Sequence, residues 1–191
     1  MKKKLKNIAS ISTGLYKKPH PVGSVYNLHG KHFDKQGFLK KNALLSKDIL
    51  MDEKIEKHLL QDKDILFIAK GDNNRACIFD ESIGLATASS LFLVIRVDKN
   101  RIIPNYLQWL LNSSRTQKKL KQFSKGSHIP SISKKLLKEL EIDIPSMEIQ
   151  QKILNINDLW NQEKQIIQKI TMLKEKQYQS VMAAVAAKAQ L

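Results

Sequence analysis

Residues 145–191 read PSMEIQQKILNINDLWNQEKQIIQKITMLKEKQYQSVMAAVAAKAQL. Beyond Pro145 this stretch runs for 46 residues without a glycine or a proline. Apolar side chains recur along it at helical spacing: Ile149, Ile153, Ile156, Trp160, Ile167, Ile170, Leu173, Val181 and Val185. Many of the steps alternate between four and three, the spacing of a coiled-coil seam. Glu163 and Lys174 interrupt that seam, which predicts a pairing tuned by polar residues. The end, Val181 to Ala189, is rich in alanine and permits close helix approach. Ser146, followed by Glu148 and Ile149, supplies a helix start. A helix of about 40 residues is roughly 60 Å long at 1.5 Å per residue. A front domain of about 145 residues has a radius of gyration of about 15 Å, so the helix is too long to pack wholly on it. Part of the apolar stripe therefore requires another helix.

Ahead of Pro145, glycines and prolines punctuate short apolar runs, and the pattern is mixed α and β. Asp64–Ala69 is an apolar run closed by the turn-type cluster Lys70-Gly71-Asp72-Asn73-Asn74. Ala76–Phe79 follows and is expected to pair back on it as a hairpin. Leu91–Val97 is rich in β-branched residues and reads as a buried strand. Pro104 opens a helix on which Tyr106, Leu107, Leu110 and Leu111 share a face, and Ile142–Pro145 reads as a last strand feeding the long helix. The expected fold class is α+β: a globular domain over 1–145, with a short-stranded mixed sheet and helices, then one long coiled-coil-forming helix over 146–191.

Charge is the loudest feature of the composition: 33 Lys+Arg stand against 18 Asp+Glu, a net charge of +15. It is uneven. Residues 1–50 hold 11 lysines with only Asp34 and Asp48 against them. Residues 99–138 hold 10 basic residues and no acid. An unbalanced basic field attracts polyanions, because neutralising phosphates releases condensed counterions. Nucleic acid is the expected partner. The acid-free block has no clear apolar face to insert into an anionic membrane. The lysines at the start precede no apolar run of signal-peptide length, and no stretch is apolar enough to span a bilayer. The single cysteine, Cys77, lies in an apolar stretch and is expected to be buried, with a cytoplasmic setting following from the low cysteine content.

Catalytic chemistry is hard to find. There is no Walker pattern, no spaced-glycine dinucleotide pattern, no Asn/Asp-Pro-Pro-aromatic motif and no pair of adjacent prolines. Asp52-Glu53-Lys54 has the residue types of a metal nuclease but falls in Asp48–Lys57, which reads as an exposed helical face. His29 and His32 are three apart, with no cysteine or second ligand pair nearby to complete a zinc site. The expected inventory is no catalytic residue, no metal and no cofactor bound by this chain. Two loops suit DNA contact instead. In the first, Lys70, Asn73, Asn74 and Arg75 combine phosphate-binding cations with side chains able to pair with adenine and guanine edges, and Gly71 lets backbone approach phosphate. The second, inside the acid-free block, offers Lys125, Ser127 and His128. Lys17, Lys18 and Lys31 of the lysine-rich front are further candidate contacts.

Taken in order, these segments resemble a type I restriction–modification specificity (S) subunit. Leu5-Lys6-Asn7-Ile8-Ala9-Ser10-Ile11-Ser12-Thr13-Gly14 resembles the family's opening L-x-x-I-a-x-i-x-x-G. Leu60 to Leu66 resembles its L-k-x-G-D-i-L strand, with Lys63 where glycine is usual. His128–Ser133 through Leu140–Pro145 resembles the segment before the conserved helix, and Ile144 to Ile153 resembles the i-P-p-l-x-e-Q-x-x-I that starts it. The resemblance covers nearly the whole chain; order and spacing carry it rather than any single motif. It implies a target recognition domain at 1–145 and, at 146–191, a spacer helix that pairs antiparallel with another such helix. It implies a subunit without an active site, docking methyltransferase (M) subunits that use S-adenosylmethionine to methylate adenine, and motor-nuclease (R) subunits. Family members usually hold two recognition domains and two helices, whereas this chain shows one of each. That resembles a half-subunit and implies a homodimer through Ile149, Ile153, Ile156, Trp160, Ile167, Ile170, Leu173 and Val181, reading a palindromic, bipartite site. The alternative from another class is a coiled-coil adaptor or regulator that resembles an S subunit without reading DNA.

Overall fold

The computed structural model describes residues 2–71, 74–123 and 131–188. It forms two compact units, Met1–Gln151 and Lys152–Leu191. In the front unit the run Ile65–Ile68 (β5) is a central strand. It pairs antiparallel with Ala76–Ile78 (β6), Leu66 opposite Cys77, and with Phe92–Val97 (β8), Leu66 opposite Val94. The expected hairpin therefore forms. Ala9–Thr13 (β2) pairs with the far side of β8, giving the order β2-β8-β5-β6. Leu66, Cys77 and Val94 face a core shared with Leu28, Phe33, Ala86 and Ala88. Ile65, Phe67 and Ile95 alternate to the other face and are equally buried. Burial on both faces is why these strands read as continuous apolar runs rather than as alternating ones.

The sheet expected from the sequence is divided among three small ones. Val25–Leu28 (β3) lies between Lys47–Ile49 (β4) and Ala86–Ala88 (β7), antiparallel to the first and parallel to the second. The third pairs Lys2–Lys4 (β1) with Glu141–Asp143 (β9), so the lysine-rich start is a strand tied to the last one before the long helix. Lys4 and Lys6 both reach Glu139, at 2.8 and 2.6 Å. One expectation fails here. Asp48–Lys57 is not an exposed helical face: Asp48 is in β4, and only Glu53–Glu56 (α1) turns, around a fully buried Ile55.

Pro104–Asn112 (α2) packs on β6, its fixed-φ proline in the first turn where no N–H is needed. Both ends of the Asn112 amide bond the backbone of Ala76 at 2.8 Å. Ser114–Phe123 (α3) follows, then Lys134–Glu139 (α4), and finally Met147–Lys188 (α5). The Ser146 hydroxyl accepts from the Ile149 N–H, closing the helix start expected there.

Three of the motifs behind the family resemblance have a packing role, while the start of the fourth, His128 to Pro130, lies outside the described residues. Leu5, Ile8 and Ile11 are buried, and a Cβ on Gly14 would sit 2.1 Å from the Ser89 carbonyl oxygen. Asp64, 1% exposed, accepts from Arg96 Nε and an Arg96 terminal nitrogen at 2.9 and 2.6 Å, and from the Gln61 N–H. Lys63, standing where the motif has glycine, adopts φ 66°, a left-handed conformation that explains the family's preference. Gln150, the glutamine of the helix motif, is fully buried. Its Oε1 accepts from the Ile103 N–H at 2.8 Å, while Nε2 donates to the carbonyls of Pro145 at 3.0 Å and Arg101 at 3.4 Å. The first turn of α5 is thereby clamped to the front unit's backbone.

Candidate nucleic-acid interface

The two loops picked out in the sequence meet, at their described ends Lys70 and Ser131, on one edge of the front unit. Lys70, just beyond β5, forms an antiparallel bridge with Ser131, and the Ile132 N–H donates to the Ala69 carbonyl at 2.8 Å. At the other side of the loop, the Gln117 amide of α3 donates to the Asn74 carbonyl at 2.8 Å. The acid-free block is thus stitched to the 70–75 loop through both α3 and Ser131. Asn73, Lys125, Ser127 and His128 lie outside the described residues.

α3 is amphipathic. Thr116 and Leu120 are buried, whereas Arg115, Lys118 and Lys119 are exposed. Arg115 has a carboxylate oxygen of Asp143 at 3.7 Å, a loose pairing that leaves most of its side chain in solvent. These cations were visible in the sequence only as part of a charged block, because nothing in their local spacing sets them apart from a solvated face.

The named loop residues divide. Lys70 is exposed. Gly71 takes φ 94°, with nothing within 4 Å of where a Cβ would be, so the backbone there is open to approach. Asn74 departs from the expectation of an adenine reader. It is 3% exposed, and its amide nitrogen donates to the carbonyls of Ile68 at 3.1 Å and Gly71 at 3.4 Å. Its side chain is used to hold the loop rather than presented to a base. Arg75 is half-buried, its Nε without a partner among the described residues, and it interacts with the Cys77 thiol. Burial pushes that thiol up to about 12, so Cys77 stays protonated and unreactive near neutrality.

Lys31 is exposed on the turn Gly30–His32, which rests against the Ile68 side chain at the end of β5 and so lies near the same edge. Lys17 and Lys18 belong to a segment alongside β4, where the His20 N–H donates to the Asp48 carbonyl. Lys18 is exposed, but Lys17 is paired with Asp52 at 2.8 Å.

The alternative chemistries have structural explanations. Asp52 caps α1 by accepting from the Ile55 N–H at 2.7 Å, and the Lys17 ammonium holds its carboxyl below the usual range. His32 Nδ1 accepts from the His29 N–H at 3.1 Å, and burial lowers the pKa of both rings. Among the described residues, no three His, Cys, Asp or Glu side chains are grouped to hold a metal, and no helix is long and apolar enough to cross a membrane.

α5 displays its apolar positions to solvent. Ile149, Ile156, Trp160, Ile167, Ile170, Leu173 and Val181 are each about half exposed or more, and Ile153 is half-buried. Isolated exposed apolar residues are ordinary, but a stripe of them along one helix is not.

A family model described as the type I restriction modification DNA specificity domain matches residues 2–172. The chain is 26% identical over 155 residues to the type I restriction enzyme HindI specificity subunit of Haemophilus influenzae, covering 73% of this chain and 34% of that protein. In fold it is similar to the type I restriction-modification system S subunit from M. genitalium, with TM-score 0.58 and 15% identity over 85% of this chain and 39% of that one. It is likewise similar to the HsdS subunit from Thermoanaerobacter tengcongensis, with TM-score 0.57 and 15% identity over 85% of this chain and 37% of that one. The chain spans between a third and two-fifths of the length of these relatives.

Proposed function

Because the chain belongs to the type I restriction–modification DNA specificity family, we propose that it reads duplex DNA for partner subunits that perform the chemistry. M subunits carrying S-adenosylmethionine methylate adenine at the site it selects, and an R subunit restricts unmodified sites. This chain contributes recognition and no catalytic group. The observation that carries the reading is the single edge on which Lys70 and Ser131 meet and to which Gln117 of α3 ties the Asn74 backbone, with Arg115, Lys118 and Lys119 exposed on that helix. Cations on α3 suit phosphates, which set position, while the loop segments suit base edges, which set sequence. The exposed stripe of α5 supports pairing of two copies and hence a gapped, palindromic site.

The test is selection of bound duplexes from a random DNA pool by the purified chain, followed by a salt titration on the winner. We expect one motif bound at least about a thousandfold more tightly than unrelated DNA. Replacing Lys118 and Lys119 with alanine should weaken all sequences alike and flatten the log–log salt slope by about 0.9 for each phosphate no longer neutralised. A pool that never enriches, from a chain that still binds M subunits, supports the adaptor reading instead.

A further inference from the structure

Two of the positions on the α5 seam are charged. Continuing the alternation of four and three from Ile153 passes through Ile156, Trp160, Glu163, Ile167, Ile170, Lys174, Gln177, Val181 and Ala184. All of these beyond Ile153 are exposed or half-exposed. Leu159, Ile166 and Leu173 widen one flank of the same face. Glu163 and Lys174 have no opposite charge three or four residues away on their own helix, so local helix pairing does not account for either.

We propose that α5 pairs antiparallel with α5 of a second copy, in the one register that sets Glu163 against the partner's Lys174. This rests on the reading of α5 as a dimer helix that pairs antiparallel, as the family resemblance implies, and adds its register. The same alignment places Ile167 against the partner's Ile170, Ile156 against the partner's Val181, and Ile153 against the partner's Ala184. The two-fold axis then falls between Gln168 and Lys169, and the Glu163–Lys174 pair occurs twice, once on each side of it. The matched seam from Ile153 to Ala184 is about 46 Å long at 1.5 Å per residue.

Charge excludes the competing arrangements. A parallel, in-register pair sets Glu163 against Glu163 and Lys174 against Lys174, like charges inside the seam. Sliding the antiparallel pair by one heptad sets Glu163 against an isoleucine or a valine, and Lys174 against Ile170 or Ile156, so four charges lose their partners. A polar residue at a seam position specifies register and orientation in this way at some cost in stability.

The test uses full-length chains carrying Glu163→Cys or Lys174→Cys, oxidised separately and as a mixture, after sedimentation has established that the wild-type chain is a dimer. Cys77 is buried and does not compete. The antiparallel register puts the two copies' residues 163 about 16 Å apart along the axis. Neither variant should therefore link to itself, and the mixture should give the linked pair. A second measurement is reversal of charge. Glu163→Lys should raise the dimer dissociation constant at least about tenfold, and adding Lys174→Glu should restore it. Self-linking of the Glu163→Cys chain, or a double reversal that stays weak, overturns the register while leaving dimerisation standing. A wild-type chain that sediments as a monomer overturns both.

Discussion

Gln150 offers the sharpest test of how the long helix is attached. Its side chain is fully buried and serves three backbone groups, the Ile103 N–H at 2.8 Å, the Pro145 carbonyl at 3.0 Å and the Arg101 carbonyl at 3.4 Å. Gln150→Leu keeps the approximate volume and removes every one of these bonds. The Ile103 N–H is the decisive loss, since a buried donor left without a partner costs about 1–3 kcal/mol. The Pro145 bond adds about 1 kcal/mol, and the long Arg101 contact contributes little. The expected destabilisation is therefore about 2–4 kcal/mol, read as a lowered urea midpoint at unchanged m-value. For a chain of this size it corresponds to a fall in Tm of roughly 5–15 °C. Gln162→Ala, a change at an exposed position of the same helix, should stay within about 0.5 kcal/mol of the parent. A Gln150→Leu chain as stable as that control would refute the clamp.

Lys63 and the histidine pair give two further checks. Lys63 has φ 66°, so Lys63→Gly should be more stable than Lys63→Ala by about 1 kcal/mol, the reverse of the ordinary ranking; both lose the exposed pairing with Asp80. An alanine variant more stable than the glycine one would contradict that backbone conformation. His29 and His32 have folded-state values lowered by burial from the ordinary 6.5. As pH falls through 6.5 the unfolded chain takes up these protons first, so their contribution to stability is complete above that value and declines below it. The urea midpoint should drop between about pH 7.5 and about pH 5.5, and His29→Gln/His32→Gln should drop less. Undiminished pH dependence in the double variant would show that other groups cause it.

The division between what was legible and what was not follows from the range of the interactions. α5, the β5–β6 hairpin and the start of α2 rest on contacts between near neighbours, and their patterns stand in the sequence. The pairing of Lys2–Lys4 with Glu141–Asp143 and the parallel pair β3–β7 join distant segments, and short strands carry no local mark of their partners. Motif residues such as Leu5, Gly14, Asp64 and Gln150 resemble the family because each is buried or closely approached, which constrains its identity. Base-reading positions have no such constraint. Asn74 shows the hazard: its residue type and loop position suit adenine, yet its amide is committed to the carbonyls of Ile68 and Gly71. Arg115, Lys118 and Lys119 became distinct only when the burial of Thr116 and Leu120 showed which face of α3 is outward.

If the proposed function holds, this chain chooses the DNA sequence on which other subunits act. Adenine-methylation mapping across a host genome tests it most directly, in cells expressing a compatible M subunit with and without the chain. A methylated motif should appear only when the chain is present, as a gapped palindrome if two identical copies read it. An unchanged methylation map, with the M subunit folded and bound to the chain, would contradict it.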